Sequence, residues 1–494
     1  MASKTVKAGL NDGSEIEYVQ KDNPPRGSKK YTYFTPNKDH VAQFYIQKED
    51  GDSPKNRERL KKILGIYNPT ISEADGGAKG STKQTAEYFY KLFCWPEALI
   101  QTPEFGIFCP AYSKNFFFGN DSVKKGYNLS LQGKEKKSKW FTSTVRKYLA
   151  DTEKGDLQKM ICISIALARA VRRLHAAGLA HSDLSRNNVL IDPISGSCAV
   201  IDIDSLVVPG LFPPEVAGTK GYIAPEVLET INLDFKNPAR KLPNIRTDLF
   251  ALSVLIYEYL LKRHPLEGPK IHHPDTIEDD FLAHGSKALF IENPLDTSNR
   301  PSNLKTTIRD FGSHLEKLFL RASVDGLHNP LARPSANDWE RALVKTYDLL
   351  QPCSNPNCPE GWFVLYDIHK PICPHCGKAV PKKNVMHLRL KQPVSNRPGQ
   401  WRPAGEINLY DNMPLFLWHF FANTFPDEKV QDREMKAYIS CQNGEWYLVN
   451  KNLEGMLSPK GNLFPSGKAV HLKDGEIFPA SNKPNSLLLN VLKG

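Results

Sequence analysis

Short apolar runs separated by turn residues fill the first hundred residues, a pattern typical of strands. Residues 30–35 and 40–45 predict two strands, and the Pro, Asn, Lys and Asp at 36–39 suit a β-turn between them. Residues 99–100 and 106–110 predict two more strands. The N-terminal part is therefore expected to be mainly β-structure, with one or two helices.

From about residue 140 the spacing of apolar residues becomes helical. Residues 157–177 predict a long amphipathic helix that ends at Gly178, a residue type that commonly closes helices. Residues 248–262 are apolar on almost every side but too short to cross a bilayer, so they predict a helix buried at the centre of a domain. A further helix is predicted at 335–350, and the residues after 385 read as strands with repeated Gly-containing turns.

Length and composition narrow the class of protein. The chain has 494 residues, 40% hydrophobic and 24% charged, so it is globular in composition and long enough for several domains. No stretch approaches the roughly 20 apolar residues of a membrane span, and the N-terminus lacks the apolar core of a signal peptide. Nine cysteines, four of them clustered, fit a reducing compartment better than a disulfide scaffold. We therefore expect a cytoplasmic protein without a membrane span.

The formal net charge of +11 favours anionic partners such as nucleotides or phosphoproteins. We expect no nucleic-acid partner, because such binding favours a concentrated basic stripe with interleaved aromatic residues. The clearest basic run consists of Lys134, Lys136, Lys137 and Lys139, with Glu135 inside it. We interpret this basic run as a solvated loop or helix face.

The residues that indicate a reaction type most clearly lie between positions 181 and 204. Phosphoryl transfer needs a carboxylate that orients the attacking hydroxyl, and oxygen ligands that hold Mg²⁺ against the phosphates. Asp183 suits the first task, and Asn188 and Asp202 suit the second. The alternative is a polar loop between a helix and a strand that carries acidic residues by chance.

Five motifs in chain order match those of protein kinases. The matching segments are residues 181–188 (catalytic loop), 202–204 (the D-F-G position), 218–226 (end of the activation segment), Asp248 and Arg333-Pro334-Ser335. The chain therefore resembles the protein kinase superfamily. The resemblance implies that Asp248 braces the catalytic loop and that Arg333 pairs with Glu226, and we interpret these charges as structural because buried charges persist when they are paired.

The resemblance covers about residues 20–350 and is greatest to bacterial eukaryotic-type Ser/Thr kinases, of the kind found beside tellurite-resistance and stress-response genes. Thr219 supports Ser/Thr specificity, since such kinases place this hydroxyl near the catalytic Asp.

The predicted fold class is α+β, a bilobal kinase-like fold followed by a small zinc ribbon and a β-sandwich. The predicted domains are an N-lobe at 1–112, a C-lobe at 113–350, a zinc-ribbon-like segment at 351–382 and a β-sandwich at 383–494.

Two departures from the family concern phosphate binding. Gln43 stands where the family carries its phosphate-binding Lys, and Gly27 is the single glycine where a glycine-rich loop is expected. A neutral amide cannot supply the charge that the phosphates need. Some kinases supply the ammonium from the strand after the glycine loop, so we expect Lys30 to provide it, with Lys29 as the alternative.

The remaining nucleotide contacts are expected from the N-lobe helix and the hinge. Glu58 is expected to be the helix carboxylate that pairs with the phosphate-binding Lys, and Glu87 is the alternative. The residues from Phe108 to Tyr112, which include Cys109, are similar to a kinase hinge, whose backbone would bind adenine.

Further departures concern regulation and the γ-phosphate. Ser182 replaces the Arg of the H-R-D motif, and residues 206–218 contain no Ser, Thr or Tyr, so we expect no switching by activation-segment phosphorylation. Ser185 replaces the Lys that steadies the γ-phosphate in the family, and Arg186 is the candidate substitute. Asp204 replaces the Gly of D-F-G, a change that leaves the metal ligand intact.

Four cysteines form the second strong motif. They are Cys353, Cys358, Cys373 and Cys376. Four thiolates satisfy the tetrahedral preference of Zn²⁺ and can fold a segment too short for its own core. Structural zinc is therefore predicted, with free buried cysteines or a redox pair as the alternatives.

The spacing of predicted strands and turns in the last fifty residues resembles the later strands of a forkhead-associated domain, a domain that binds phosphothreonine. The Gly-Arg and Ser-x-x-His motifs of that family are missing in clear form from the stretch before them. We therefore expect a degenerate interaction module that binds a phosphoprotein or another protein partner.

Two functions remain open from the sequence. The first is an active, atypical Ser/Thr protein kinase that uses ATP with Mg²⁺ or Mn²⁺ and modifies protein substrates. Its catalytic residues would be Asp183, Lys30, Asn188 and Asp202. The second is a pseudokinase scaffold that binds nucleotide and partner proteins without catalysis, which the missing Lys and the poor glycine loop favour.

Overall fold

The structure is a computed structural model. It describes residues 4–27, 29–208, 211–212, 218–234, 236–395, 397, 399–426, 428 and 433–494. The chain forms two compact units, the first made of Met1–Lys154, Ile163–Arg300 and Arg321–Asn337, and the second of Gly155–Cys162, Pro301–Leu320 and Asp338–Gly494. Among the described residues, none of the helices combines the length and apolar character that a bilayer crossing requires.

A six-stranded antiparallel sheet opens the first unit. Its strands are β1 (Lys4–Leu10), β2 (Glu15–Gln20), β3 (Lys30–Phe34), β4 (His40–Tyr45), β5 (Ala98–Thr102) and β6 (Gly106–Pro110). Their order is β2-β1-β5-β6-β4-β3, so the four strands predicted from the sequence lie together and the N-terminal hairpin extends the sheet beyond β5. The predicted turn between β3 and β4 is closed by a hydrogen bond from Thr35 N to His40 O of 3.0 Å.

Three helices accompany this sheet: α1 (Lys48–Gly51), α2 (Pro54–Leu64) and α3 (Lys83–Tyr90). Helix α2 begins with proline in its first turn, and Ser53 Oγ caps it by accepting a hydrogen bond from Asn56 N at 3.3 Å. Its last turn is held by Trp95, whose fully buried indole donates to Ile63 O at 2.9 Å. The buried Trp95 thus anchors the end of α2, and Leu60 of the same helix packs in an apolar cluster with residues of β4, β5 and β6.

The middle of the chain is mainly helical. Its elements are α4 (Lys139–Thr142), α5 (Asp151–Lys154), α6 (Leu157–Ala176), the hairpin β7 (Val189–Asp192) and β8 (Ser197–Val200), then α7 (Pro225–Leu228), α8 (Ile245–Leu261) and α9 (Thr276–His284). The long helix predicted at 157–177 is confirmed, and Gly178 follows it with φ of +77°, a conformation that glycine adopts without strain.

Helix α8 is the buried apolar helix that the sequence predicts, since every residue from Thr247 to Leu261 is buried. It begins three residues before the predicted start because Asn244 caps it. The Asn244 side chain accepts from Arg246 N at 2.8 Å, and Thr247 Oγ1 accepts from Asn244 N at 2.9 Å. Asp248 therefore lies within the first turn of the helix.

The C-terminal part contains helices α10 (Gly312–Leu320) and α11 (Ala336–Asp348), followed by strands. These strands are β9 (Leu350–Pro352), β10 (Trp362–Val364), β11 (Met386–Pro393), β12 (Trp401–Leu409), β13 (Pro414–Leu415), β14 (Ala437–Gln442), β15 (Glu445–Asn450), β16 (Ala469–Leu472), β17 (Ile477–Pro479) and β18 (Leu488–Lys493). Two four-stranded sheets, β12-β11-β18-β17 and β13-β14-β15-β16, contribute to one apolar core. The predicted C-terminal β-structure is therefore confirmed.

Candidate active site

The loop between α6 and β7 places Asp183 within hydrogen-bonding distance of two other polar side chains. Asn188 Nδ2 donates to Asp183 Oδ2 and to the Asp183 carbonyl oxygen, both at 2.9 Å. Thr219 Oγ1 donates to Asp183 Oδ1 at 2.7 Å. The structure thus brings together three residues that the sequence analysis assigns to one site.

The backbone of this loop is held from below by Asp248, which is 2% exposed. Asp248 Oδ2 accepts from His181 N at 2.7 Å, and Asp248 Oδ1 accepts from Ser182 N at 3.1 Å. Ser182 has φ of +66°, an uncommon conformation for a residue with a side chain. These two hydrogen bonds stabilise a strained turn that fixes the direction of the next residue, Asp183.

Asp202 follows strand β8 and lies at the same end of the β7–β8 hairpin as Asn188. The hydrogen bond from Ile201 N to Asn188 O measures 3.0 Å, so the two segments that carry the proposed metal ligands are directly paired. Asp202 also has a positive φ, +64°. Burial, then the charge of Asp204, raises the pKa of Asp202. Oxygen atoms from a carboxylate and an amide fit Mg²⁺.

Lys30 places its ammonium beside the acidic residues of this cleft. Its ammonium donates to Asp204 Oδ1 and lies 3.8 Å from Asp202 Oδ1, and the residue is only 8% exposed. Tyr45 OH donates to the other oxygen of Asp204 at 3.2 Å. Burial alone would lower the pKa of Lys30, but Asp204 and its neighbours raise it above the ordinary value, so the ammonium stays charged.

The two helix glutamates considered from the sequence lie elsewhere. Glu58 on α2 is 61% exposed and pairs with Lys62 of the same helix at 3.3 Å, while Glu87 on α3 is exposed. Among the described residues, the ion pairs of Lys30 are made to Asp202 and Asp204 and not to either glutamate. Asp204 therefore occupies the place expected for Glu58.

The cleft has a volume of about 290 Å³. The sequence-predicted residues that line it are Gly27, Lys29, Lys30, Cys109, Tyr112, Asn188 and Asp202. Gln43 also lines it and donates to Thr32 Oγ1 at 3.2 Å across the β3–β4 pair. Where a glycine-rich loop is expected, Gly27 N donates to Lys30 O at 3.0 Å.

Sequence reasoning missed two contributions to the cleft. Asp204 is the first; its signal was an acid two residues after the proposed metal ligand, where the family has glycine. The second is the segment that contains Glu135 and Lys137, which line the cleft and pair with each other at 3.1 Å. This segment extends the hairpin through the hydrogen bond from Ile191 N to Lys136 O of 2.9 Å, so it is not simply a solvated face.

The predicted pair of Arg333 and Glu226 is present. The guanidinium donates to both carboxylate oxygens at 2.8 Å, and the Arg333 side chain is 1% exposed. Such a two-pronged contact is strong and geometrically specific. It ties the end of the activation segment to the segment before α11.

In the second unit the four predicted cysteines lie together. Their Sγ atoms are all within 4.8 Å of one another, with 3.5 Å between Cys353 and Cys376 and 3.8 Å between Cys358 and Cys373. Tetrahedral Zn²⁺ with Zn–S bonds of about 2.3 Å places its sulfur atoms roughly 3.8 Å apart, so the cluster fits this metal. Backbone hydrogen bonding from Lys378 lowers the pKa of Cys376 to about 7.

Comparisons with known proteins agree with the motifs. Residues 139–318 match the protein kinase domain family, which confirms the kinase resemblance for this part of the chain. A rhodopsin kinase of Xenopus laevis is 31% identical over 121 residues, 24% of this chain and 20% of the relative. Atypical protein kinase C of Drosophila melanogaster is 28% identical over 184 residues, 35% of this chain and 28% of the relative. The matches therefore span less than a third of these relatives.

Among solved structures, a rhoptry kinase from Toxoplasma gondii aligns with 70% of this chain and 84% of its own, at 13% identity and a TM-score of 0.41.

Proposed function

From the kinase domain in this chain, we propose an ATP-dependent protein kinase that transfers the γ-phosphoryl group to Ser or Thr hydroxyls of proteins. The observation that carries this proposal is that Asn188 and Asp202 line one cleft with the buried ammonium of Lys30, while Asn188 also donates a hydrogen bond to the Asp183 carboxylate. A loose phosphoryl-transfer transition state needs positioning and charge neutralisation more than covalent chemistry. These four side chains are of the types that supply both.

Each residue has a distinct role in the proposed reaction. Asp183 accepts a hydrogen bond from the attacking hydroxyl and orients it toward the phosphorus atom. Asn188 and Asp202 would hold Mg²⁺ or Mn²⁺, which supplies positive charge to the phosphate oxygens when it is bound. Lys30 would contact the phosphates in place of the family's Lys, whose position Gln43 occupies. Asp204 holds the Lys30 ammonium in place through their ion pair.

Specificity for Ser and Thr is supported by Thr219. Its hydroxyl donates to Asp183 Oδ1 at 2.7 Å, which leaves the other carboxylate oxygen shared between Asn188 and an incoming hydroxyl. We further propose Zn²⁺ as a structural ion at the four cysteines and, on the resemblance described above, a bacterial eukaryotic-type kinase whose C-terminal sheets form a degenerate forkhead-associated-like module for a protein partner.

The pseudokinase scaffold remains the second candidate because of Gln43 and the single Gly27 at the turn over the cleft. These features predict weak phosphate binding by the glycine turn itself. The two candidates differ in whether phosphate leaves the nucleotide.

Phosphoryl transfer from labelled ATP separates them. The full chain with Mg²⁺ or Mn²⁺ should label itself or a general protein substrate, and Asp183→Asn should lose at least about a hundredfold in rate while it still binds ATP, since removing one member of a catalytic unit typically costs that much. Lys30→Met and Asp202→Ala should lose activity through weaker ATP binding. Nucleotide binding by the wild type without label on any substrate would instead support the scaffold.

A further inference from the structure

The basic run has a location that its sequence does not reveal. Lys136 is buried and pairs with Glu153 at 2.7 Å, and Lys137 turns toward Glu135. Lys139, the first residue of α4, is half-buried beside the Trp140 ring, 5.4 Å from its centroid. Among the residues that the structure describes, Lys139 has no ion-pair partner. Lys134 is exposed and likewise has no ion pair among the described residues, so Lys139 is the half-buried lysine of the run that is left to contact another molecule.

A groove of about 650 Å³ lies against this residue. Its lining includes Lys139, Arg186, Thr219, Lys220, Glu267 and Asp280. Thr219 also donates to the carboxylate of Asp183, so the groove begins beside the proposed catalytic residue. A protein segment lying in this groove would present its hydroxyl to that carboxylate.

The charges that line the groove do not cancel. Lys220 and Asp280 neutralise each other at 2.8 Å, and the remaining charged residues of the lining are Lys139, Arg186 and the exposed Glu267. Lys139 N lies 3.4 Å from the Arg186 carbonyl oxygen, so the two cations belong to neighbouring backbone segments. Burial, then the charges of Lys137 and Arg186, lowers the pKa of Lys139, as expected where several cations lie close together.

Arg186 lies near the buried carboxyl group of Glu258. Glu258 Oε1 lies 4.0 Å from the guanidinium, and Glu258 Oε2 accepts a hydrogen bond from Tyr222 OH. Glu258 is 2% exposed. Burial raises the pKa of Glu258 to about 7, so near neutral pH its carboxyl offsets the charge of Arg186 only in part. The guanidinium, 43% exposed, still faces the groove as a cation.

We propose that this groove binds an acidic peptide segment, so that the protein substrate carries Asp or Glu next to its phosphorylated Ser or Thr. Lys139 and Arg186 contact those carboxylates. The proposal rests on the function proposed above, and it names the class of substrate. Electrostatic complementarity of this kind acts mainly on encounter rate and partner choice.

Peptides that differ only in the charge of their flanks test the proposal. A Ser-centred peptide with Asp and Glu flanks should have about tenfold higher kcat/KM than the same peptide with Gln flanks, and Lys flanks should be poorer still. The preference should shrink as salt is raised from 50 to 500 mM, because partly exposed charges are screened. A phosphoserine flank, tested in parallel, shows whether phosphate can replace the carboxylates.

Charge reversal assigns the preference to residues. Lys139→Glu and Arg186→Glu should each lose the preference for acidic flanks, and the milder Lys139→Gln and Arg186→Gln forms guard against misfolding. Lys125→Glu is the matched control: it makes the same change at an exposed lysine outside the groove lining and should keep the preference. Equal kcat/KM for acidic and neutral peptides, or a preference unchanged in both reversed forms, would overturn the proposal.

A binding measurement keeps this inference separate from catalysis. Fluorescence anisotropy of labelled acidic and neutral peptides on the full chain reports the groove even if no phosphate is transferred. Tighter binding of the acidic peptide without any phosphorylation would contradict the proposed kinase activity and leave the groove assignment standing. Equal binding of both peptides would refute the assignment of the groove to acidic peptides, whether or not the protein has kinase activity.

Discussion

At the scale of single residues, the unusual feature of the candidate site is the carboxylate that holds Lys30. Asp204 is 6% exposed and belongs to the same short segment as Asp202. The Lys30 ammonium and the proposed metal ligand Asp202 are therefore oriented by one piece of backbone. Helix α2, whose Glu58 is exposed, contributes no charge to this arrangement.

Asp204→Asn should weaken nucleotide binding, whereas Glu58→Gln should not. Removing one partner of a buried charge pair typically costs about 2–5 kcal/mol, which predicts at least about thirtyfold weaker binding of ATP by Asp204→Asn. Titration with a fluorescent ATP analogue measures this effect without a need for catalysis. The assignment is wrong if Glu58→Gln weakens binding and Asp204→Asn leaves it intact.

The sequence predicted part of this site and missed part of it for a physical reason. Asp183 and Asn188 are five residues apart, so local backbone geometry decides that their side chains meet, and a motif records that geometry. Lys30 and Asp204 are 174 positions apart, and only the packing of the sheet against the helical part brings them together. An unusual Asp in place of Gly was visible, but its partner was not.

At the scale of secondary-structure elements, α8 acts as the support of the catalytic loop. Its first turn delivers Asp248 to two backbone N–H groups of that loop, and its burial keeps water away from both hydrogen bonds. The loop conformation, which includes the positive φ of Ser182, depends on this support.

Asp248→Ala should therefore reduce both stability and turnover. Two buried donors would be left without acceptors, and hydrogen bonds to a charged group contribute about 1.5–3 kcal/mol each, so we expect the free energy of unfolding to fall by about 3 kcal/mol. Urea unfolding followed by tryptophan fluorescence measures the loss, and kcat should fall more than KM for ATP rises. Asp248→Asn, which keeps one acceptor oxygen, should be intermediate; a fully stable and active Ala form would contradict the assignment.

The elements themselves show where pattern reasoning succeeds. Helix α8 and strand β6 were predictable because α8 is apolar over more residues than a strand usually spans, whereas β6 is a short apolar run bounded by Gly and Pro. The attachment of β1 to β5 was not predictable, since Gly9 pairs with Thr102 across more than ninety positions and nothing local specifies that partner.

At the scale of the whole molecule, the four-cysteine cluster should stabilise the second unit and leave the nucleotide cleft of the first unit unchanged. Cys373→Ser, or extraction of metal by a strong chelator, should lower the thermal unfolding temperature, because a structural Zn²⁺ contributes folding free energy directly. Binding of ATP should change little. Bound zinc measured by elemental analysis should fall from about one ion per chain to near zero.

Cys441→Ser provides the matched control, since Cys441 is a partly buried cysteine outside the cluster. This variant should keep its zinc and its unfolding temperature. A wild-type protein purified under reducing conditions without any bound metal would refute the zinc assignment.

The delivery of the ammonium from β3 instead of β4 has a consequence for how such proteins are sorted. A survey that judges catalytic activity only by whether a Lys stands at the position of Gln43 would classify this chain as inactive. A criterion based on which charge lies near Asp202 in space would keep this chain among the candidates for catalysis. Chains that were set aside for want of that one lysine deserve a second inspection on spatial grounds.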